Sequence, residues 1–274
     1  MSSPSISLLR LYPAPQVTSP LEGLYLDLNL HRQAADGEML IYANYIASLD
    51  GRISVAGEDG EQQVPSSIAN GRDWRLYQEL AAQSDIMLTS ARYFRQLARG
   101  RAQDLLPVGR DPAYADLAEW RAQQGLAPQP AVAILSRSLD IPDAALDAVQ
   151  ERDIYVLTTR TADTGAIERL RARGIEVIVA GHRSVEGAQL RDALIRLGFR
   201  SAYMIAGPEV HATLLAAGVL NRLFLTQYHA LLGGAVFHTP VEGGISSPRR
   251  LSLRSLYLDG DPMHPQGFYQ FELR

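Results

Sequence analysis

Asn44, Ser48 and Asp50 fall within one short stretch, Ile41 to Ile53, which reads IYANYIASLDGRI. An amide, a hydroxyl and a carboxyl at that spacing can hydrogen-bond a small polar ring, and the carboxyl can also move a proton. The apolar residues before them predict a buried strand, and Asp50-Gly51 is a tight-turn signal. The three polar groups therefore fall near the carboxyl end of a strand, where small-molecule sites in α/β sheets gather. The residues alone leave a second role open for each. Asp50 can simply start a turn, and Asn44 and Ser48 can be satisfied strand residues.

A second stretch, Met204 to Gly218, reads MIAGPEVHATLLAAG. It predicts a strand that ends at Ala206-Gly207-Pro208 and a helix that begins at once. Small residues there let a ligand approach the backbone, and the N–H groups of a helix start suit a phosphate. A plain strand-to-helix turn with Pro at the first helical position is the other reading. His211 lies just after the turn and could be the base of a hydrolase or transferase. A helix-surface histidine is the plainer account, and no GxSxG elbow accompanies it.

Composition excludes several chemistries. The 274 residues contain no cysteine, so disulfides, thiolate nucleophiles and zinc-thiolate sites are ruled out. The six histidines form no HExxH or HxxxH pair, and no metal site is expected. Neither GxGxxG nor GxxxxGK[ST] occurs. A net charge of −4 offers no global field for nucleic acid. The first residues lack the apolar core of a signal peptide, and no run reaches the roughly 18 apolar residues of a membrane span. A cytoplasmic protein with a small-molecule substrate and neither nucleic acid nor membrane as partner is expected.

Continuous apolar runs predict strands over Leu40–Ala47, Ile86–Thr89, Ala131–Leu135, Ile154–Leu157, Ile175–Val179, Ala202–Ile205 and Arg222–Thr226. Helical spacing falls between them, over Asn70–Gln83, Ala166–Arg173, Val185–Leu197 and Glu209–Ala217. Gly174, Gly198 and Gly218 follow the last three as stops. This alternation predicts an α/β fold with a mostly parallel sheet flanked by helices. Arg249–Leu258 and Phe268–Leu273 alternate apolar and polar residues and predict a C-terminal antiparallel hairpin. Residues 99–130 read as an insertion-like loop with one helix near Tyr114–Gln124. Residues 1–37 read as an N-terminal extension with a short helix, and 38–274 as one domain.

In order and spacing, these segments resemble the riboflavin-biosynthesis reductase family, the C-terminal domain of the bacterial bifunctional deaminase-reductases. IYANYIASLDGRI resembles its opening strand. LAAQSDIMLTSARYF (Leu80–Phe94) resembles its helix, acidic turn and strand, which end in a cofactor loop. Ala206-Gly207-Pro208, Leu214–Gly218 and Leu231-Leu232-Gly233-Gly234 follow in the family's order. The resemblance implies a three-layer, dihydrofolate-reductase-like mixed sheet and NADPH as cofactor. It also implies a homodimer and reduction of a ribosylamino-pyrimidine such as 5-amino-6-(5-phosphoribosylamino)uracil. It assigns cofactor contacts to Ala47, Thr89, Ser90, Ser136, Ala206, Gly207, Pro208, Glu209 and Val210, with the N–H groups of Glu209 and Val210 aimed at the pyrophosphate. Asn44, Ser48 and Gln63 would read the substrate, Asp50 would be the catalytic carboxyl, and Arg137 would meet a 2′-phosphate.

The chain departs from the family pattern at several points. Leu80-Ala81-Ala82 lacks the family's substrate-holding Arg. Ser90-Ala91-Arg92-Tyr93 replaces a Gly-x-Gly-Thr loop. Ile205 replaces a Glu, and Val64 replaces a Trp. The cofactor turn is kept better than the substrate site. A related heterocycle as substrate, or a non-catalytic nucleotide-binding relative, are the alternatives these departures raise.

Overall fold

The computed structural model describes residues 6–57, 60–242, 245 and 247–273. In chain order the elements are β1 (Ser7–Tyr12), β2 (Val17–Pro20), β3 (Leu40–Ser48), β4 (Ser54–Ala56), β5 (Gln62–Gln63), α1 (Gly71–Ala82), β6 (Ile86–Ser90), α2 (Ala91–Ala98), α3 (Ala115–Gln123), β7 (Ala131–Leu135) and α4 (Asp143–Asp147). They continue with β8 (Ile154–Thr158), α5 (Thr164–Ala172), β9 (Glu176–Val179), α6 (Gly187–Arg196), β10 (Ser201–Met204), α7 (Pro208–Ala217), β11 (Arg222–Tyr228), β12 (Phe237–His238), β13 (Leu251–Asp259) and β14 (Gln266–Leu273).

One large sheet runs in the order β2-β1-β13-β14-β11-β3-β10-β6-β7-β8-β9. From β11 to β9 neighbouring strands are parallel, and from β11 back to β2 they are antiparallel. A small antiparallel sheet, β12-β4-β5, stands apart. The period of two along β3 explains the layers. Leu40 and Tyr42 enter the core shared with Leu80 of α1, Phe94 of α2 and Leu117 of α3. Ile41, Ala43 and Ala47 enter the opposite core, with Leu194 of α6 and Leu214 of α7. Each fully buried Leu or Ile contributes on the order of 1.5–3 kcal/mol.

The strand order has a switch point that locates the site. The chain leaves β3 for β6 and steps outward to β9. It then returns to place β10 between β3 and β6, pairing with both. Crossovers diverge around β3, β10 and β6, so a crevice opens beyond their carboxyl ends.

Two expectations need correction. The N-terminal segment is not a lone helix. Its described part supplies β1, antiparallel to β13, and β2, antiparallel to β1, followed by two short 3-10 turns; residues 1–5 lie outside the described residues. Leu8, Leu21 and Leu30 from this segment are fully buried, and the Glu79 carboxylate on α1 accepts the N–H groups of Gly23 at 2.6 Å and Tyr25 at 2.9 Å. The second correction concerns Thr89-Ser90-Ala91, which is not a loop. Thr89 and Ser90 end β6, and Ala91 opens α2. A residue bulkier than Gly is tolerated there because the chain goes straight into a helix.

Candidate active site

Two adjoining hollows open at the switch point. A cleft of about 590 Å³ runs past Ser90, Ser136, Arg137 and the first turn of α7. A cavity of about 380 Å³ lies beside it, between β3, β6 and the start of α1. Ser90, Arg92, Gly207, Pro208 and His238 line both, so the two communicate.

The cleft gathers much of the expected cofactor set: Ser90, Ser136, Gly207, Pro208, Glu209 and Val210. Ala206, Thr89, Gly207 and Pro208 also reach the cavity. Gly207 has a φ of −70°, and a Cβ built on it meets no atom within 4 Å. The glycine is thus not demanded by the backbone; its bareness keeps the cleft open. The Val210 N–H is already bonded to the Gly207 carbonyl at 3.2 Å, which corrects its expected aim at a phosphate. Among the described residues the Glu209 N–H has no such backbone acceptor and is the first-turn donor that remains. The Glu209 side chain is exposed. The Ser136 hydroxyl accepts the Leu139 N–H at 2.9 Å and so shapes the turn that carries Arg137. Arg92, Arg95 and Arg137 share this lining with Glu209 and Glu242; Arg92 lies 3.8 Å from Glu61 and Arg95 3.7 Å from Asp140. Ala47 lines neither hollow and packs in the α6–α7 core.

Asn44 and Gln63 do line the cavity. Ser48 and Asp50 do not, and their bonds explain why. The Asp50 carboxylate binds the Ser48 hydroxyl and the Arg52 guanidinium. It also accepts the N–H groups of Leu232 at 3.2 Å and Gly233 at 2.9 Å. These bonds, the Ser48 hydroxyl first and then the Gly233 N–H, hold the carboxyl down at about 2. A carboxyl so held is ionised at neutral pH and has its lone pairs engaged. Arg52 extends the clamp by stacking on Phe237, 4.2 Å from the ring centroid.

His211 is neither a surface residue nor in the cleft. It is buried, its Nδ1 lies 2.6 Å from the Pro240 carbonyl, and it packs on Tyr45 at 5.1 Å. Burial lowers its pKa. It ties α7 to the segment that carries His238.

Three features of the cavity escaped the sequence reading. Trp74 and Tyr77 stack at 4.8 Å with planes 5° apart and supply an aromatic wall. His238 stands where the hollows meet, with its Nδ1 2.5 Å from Glu242 Oε1. Asp73, in the first turn of α1, also lines the cavity. Desolvation raises its pKa to about 6, against a hydrogen bond from the Thr226 side chain. The Asn70 side chain caps α1 by accepting the N–H groups of Arg72 and Asp73, both at 3.1 Å. Arg72 then pairs with Asp259 and Asp261, which bolts this helix start to the C-terminal hairpin. An acid in a first turn looks like ordinary helix chemistry, so the sequence carried no flag for it.

Residues 39–264 match the family model of the RibD C-terminal domain. The chain belongs to that family. Among curated proteins it is 24% identical, over 68% of its length and 85% of the relative's, to the 2,5-diamino-6-ribosylamino-4(3H)-pyrimidinone 5′-phosphate reductase of Aquifex aeolicus. A pyrimidine reductase-like protein of Corynebacterium diphtheriae superposes with a TM-score of 0.67 at 21% identity, covering 86% of this chain and 92% of the other. The riboflavin biosynthesis reductase Rib7 of Saccharomyces cerevisiae superposes with a TM-score of 0.57 at 14% identity, covering 92% and 99%. The dihydrofolate-reductase-like, mostly parallel sheet flanked by helices is thus shared with these reductases. Among the described residues no helix is long and apolar enough to cross a membrane, and no group of acidic and histidine side chains is spaced to hold a metal ion.

Proposed function

We propose that this protein is an NADPH-dependent reductase of a ribosylamino-pyrimidine 5′-phosphate in riboflavin biosynthesis. The observation that carries the reading is the junction. A long arginine-bearing cleft ending on a helix start opens into an aromatic-walled cavity, through Ser90, Arg92, Gly207, Pro208 and His238.

The chain's residues fit the dinucleotide. Gly207 leaves room for a pyrophosphate, the Glu209 N–H and the start of α7 favour its charge, and Arg92, Arg95 and Arg137 suit a 2′-phosphate. When bound, the reduced nicotinamide supplies a hydride. The protein positions the substrate and supplies the proton. Trp74, backed by Tyr77, would carry the pyrimidine ring, with Asn44 and Thr89 at its polar edges. Arg101 lines the cavity where a 5′-phosphate would extend.

His238 is the proton source in this reading. Glu242 fixes its Nδ1, which leaves Nε2 for the substrate. In the doubly protonated imidazolium, with Nδ1–H on the Glu242 carboxylate, a proton from Nε2 to the ribose ring oxygen lets the C1′–O bond break. The bond's electron pair stays on that oxygen, and the amine lone pair forms the C1′=N bond. Hydride addition at C1′ returns that pair to nitrogen and leaves an open ribityl chain. Asp50 anchors a loop beneath the site rather than exchanging protons.

Thermal unfolding tests the cofactor assignment. A ligand that binds only the folded protein stabilises it by about 2.7 kcal/mol at a hundredfold excess over Kd. NADPH should raise Tm, and NADH should do so less. No shift with either at millimolar concentration would overturn the reading.

A further inference from the structure

Helix α1 turns two faces to two different parts of the molecule. Asn70, Asp73, Trp74 and Tyr77 recur at i, i+3, i+4 and i+7 and line the cavity. Arg75, Glu79 and Gln83 recur at i, i+4 and i+8. At about 3.6 residues per turn, that stripe lies on the opposite side of the helix. There it meets the N-terminal segment. The fully buried Glu79 carboxylate accepts the N–H groups of Gly23 at 2.6 Å and Tyr25 at 2.9 Å, and the Arg75 Nε–H at 2.8 Å. The Gln83 side chain, also fully buried, accepts the Leu30 N–H and donates to the Tyr25 carbonyl, both at 2.8 Å. Leu21, Tyr25 and Leu30 share one apolar core with Leu76 and Leu80 of α1.

The backbone of residues 21–33 thus finds its partners on α1. A buried backbone group stripped of its partner costs about 1–3 kcal/mol, so segment and helix are held as one body. This buttress lies outside residues 39–264, which match the family model. It belongs to the chain's own extension. The cofactor cleft takes its lining from β6, α2, β7 and α7 and the loops beside them, and no residue of α1 is in it. A shift of α1 would therefore reach one hollow and spare the other. A gap of about 0.5–1 Å already forfeits roughly a quarter to a half of a dispersion contact, so a small shift of the Trp74 ring is enough to matter.

We infer that residues 21–33 belong to the substrate-binding machinery: through Glu79 and Gln83 they set the position of α1, and with it the place where Trp74 meets a bound ring. Glu79 is a positioning residue, since it lines neither hollow. The kinetic arm of the inference rests on the reductase reading above. Its spectroscopic arm rests on Trp74 alone.

The test is Glu79→Gln in the full chain. The amide turns a donor toward the N–H groups that the carboxylate accepted. KM for 2,5-diamino-6-ribosylamino-4(3H)-pyrimidinone 5′-phosphate should rise about tenfold, with kcat and NADPH affinity within about twofold of wild type, the pattern of lost uniform binding. The chain has two tryptophans, so Trp120→Phe leaves Trp74 as the sole emitter. In that background Glu79→Gln should shift the Trp74 emission of the unliganded protein. Should Glu79→Gln not fold, Gln83→Met carries the same measurements, because it removes the bonds to Leu30 and Tyr25 and leaves the carboxylate in place. An unchanged KM in a folded variant would overturn the inference. So would parallel losses of NADPH and pyrimidine affinity, which would mean general loosening. If the wild type turns over no pyrimidine, the reductase reading falls and the emission decides: a shift upholds the buttress on the cavity wall, and an unchanged spectrum overturns it.

Discussion

The Asp50 carboxylate accepts the backbone N–H of Gly233 at 2.9 Å, although 183 positions separate the two residues. That bond, with its neighbour to Leu232 at 3.2 Å, joins the tip after β3 to the segment leading into β12. The small sheet, and with it His238, hangs from this junction.

Asp50→Asn should therefore act mildly on chemistry. A proton-transfer carboxyl usually contributes about 10²-fold or more. The loop role predicts kcat/KM within about tenfold of wild type, because the amide keeps one acceptor. A loss beyond about 10²-fold with the fold intact would return Asp50 to catalysis. The pH dependence has a definite sign. The carboxyl is held below its ordinary value, so its stabilising bonds are complete above the usual carboxylate range and are lost as pH falls toward about 2. The Gly233 amide proton should report this as an NMR shift that titrates at strongly acid pH, and a flat response between neutrality and that range would contradict the bond.

Gly207→Val places a branched side chain into open cleft space at an ordinary φ. Tm without ligand should stay within about 2 °C of wild type. NADPH affinity, read by calorimetry, should fall about tenfold or more, since the pyrophosphate loses its approach. Unchanged affinity would remove the cofactor from this turn.

Asp73→Asn should stabilise the unliganded protein at pH 7. The folded carboxyl titrates near 6 and the unfolded one near 3.8. The penalty is therefore absent below the unfolded value, grows as pH rises, and is complete above the folded value. Two units correspond to roughly 3 kcal/mol, and partial exposure to the cavity lowers the expected gain to about 1–2 kcal/mol. Urea unfolding at pH 7 and pH 4 should show the gain at the first and little at the second. Equal gains at both would mean that packing, not charge, is responsible.

His238→Gln should lower kcat by about 10²-fold or more. Glu242→Gln should lower it less, because the ring would keep its nitrogen but lose its fixed orientation. Steady-state kinetics on both variants checks the order. A larger effect from Glu242 would move the proton-transfer role away from His238.

What the chain made legible follows from the range of each interaction. The run AVAIL over Ala131–Leu135 is a strand on its face, because both of its sides are covered and every residue is apolar. Gly218 marks the end of α7 because its φ of +66° suits glycine. β1 and β2 were not legible. They are edge-side antiparallel strands with exposed alternate residues, and β1 finds its partner at Leu256–Leu258, far along the chain. The site divides in the same way. The Ala-Gly-Pro turn carries its chemistry in its own residues. Asp50 and Asp73 take their roles from Gly233 and Thr226, which only the folded sheet brings near.

Anaerobic incubation of the purified protein with NADPH and 2,5-diamino-6-ribosylamino-4(3H)-pyrimidinone 5′-phosphate tests the central claim most directly. Reduced-nicotinamide absorbance should fall in step with a product heavier by one hydride and one proton, with deuterium from the labelled cofactor retained at C1′. Stable absorbance and an unchanged substrate, with a protein that binds NADPH, would contradict the account.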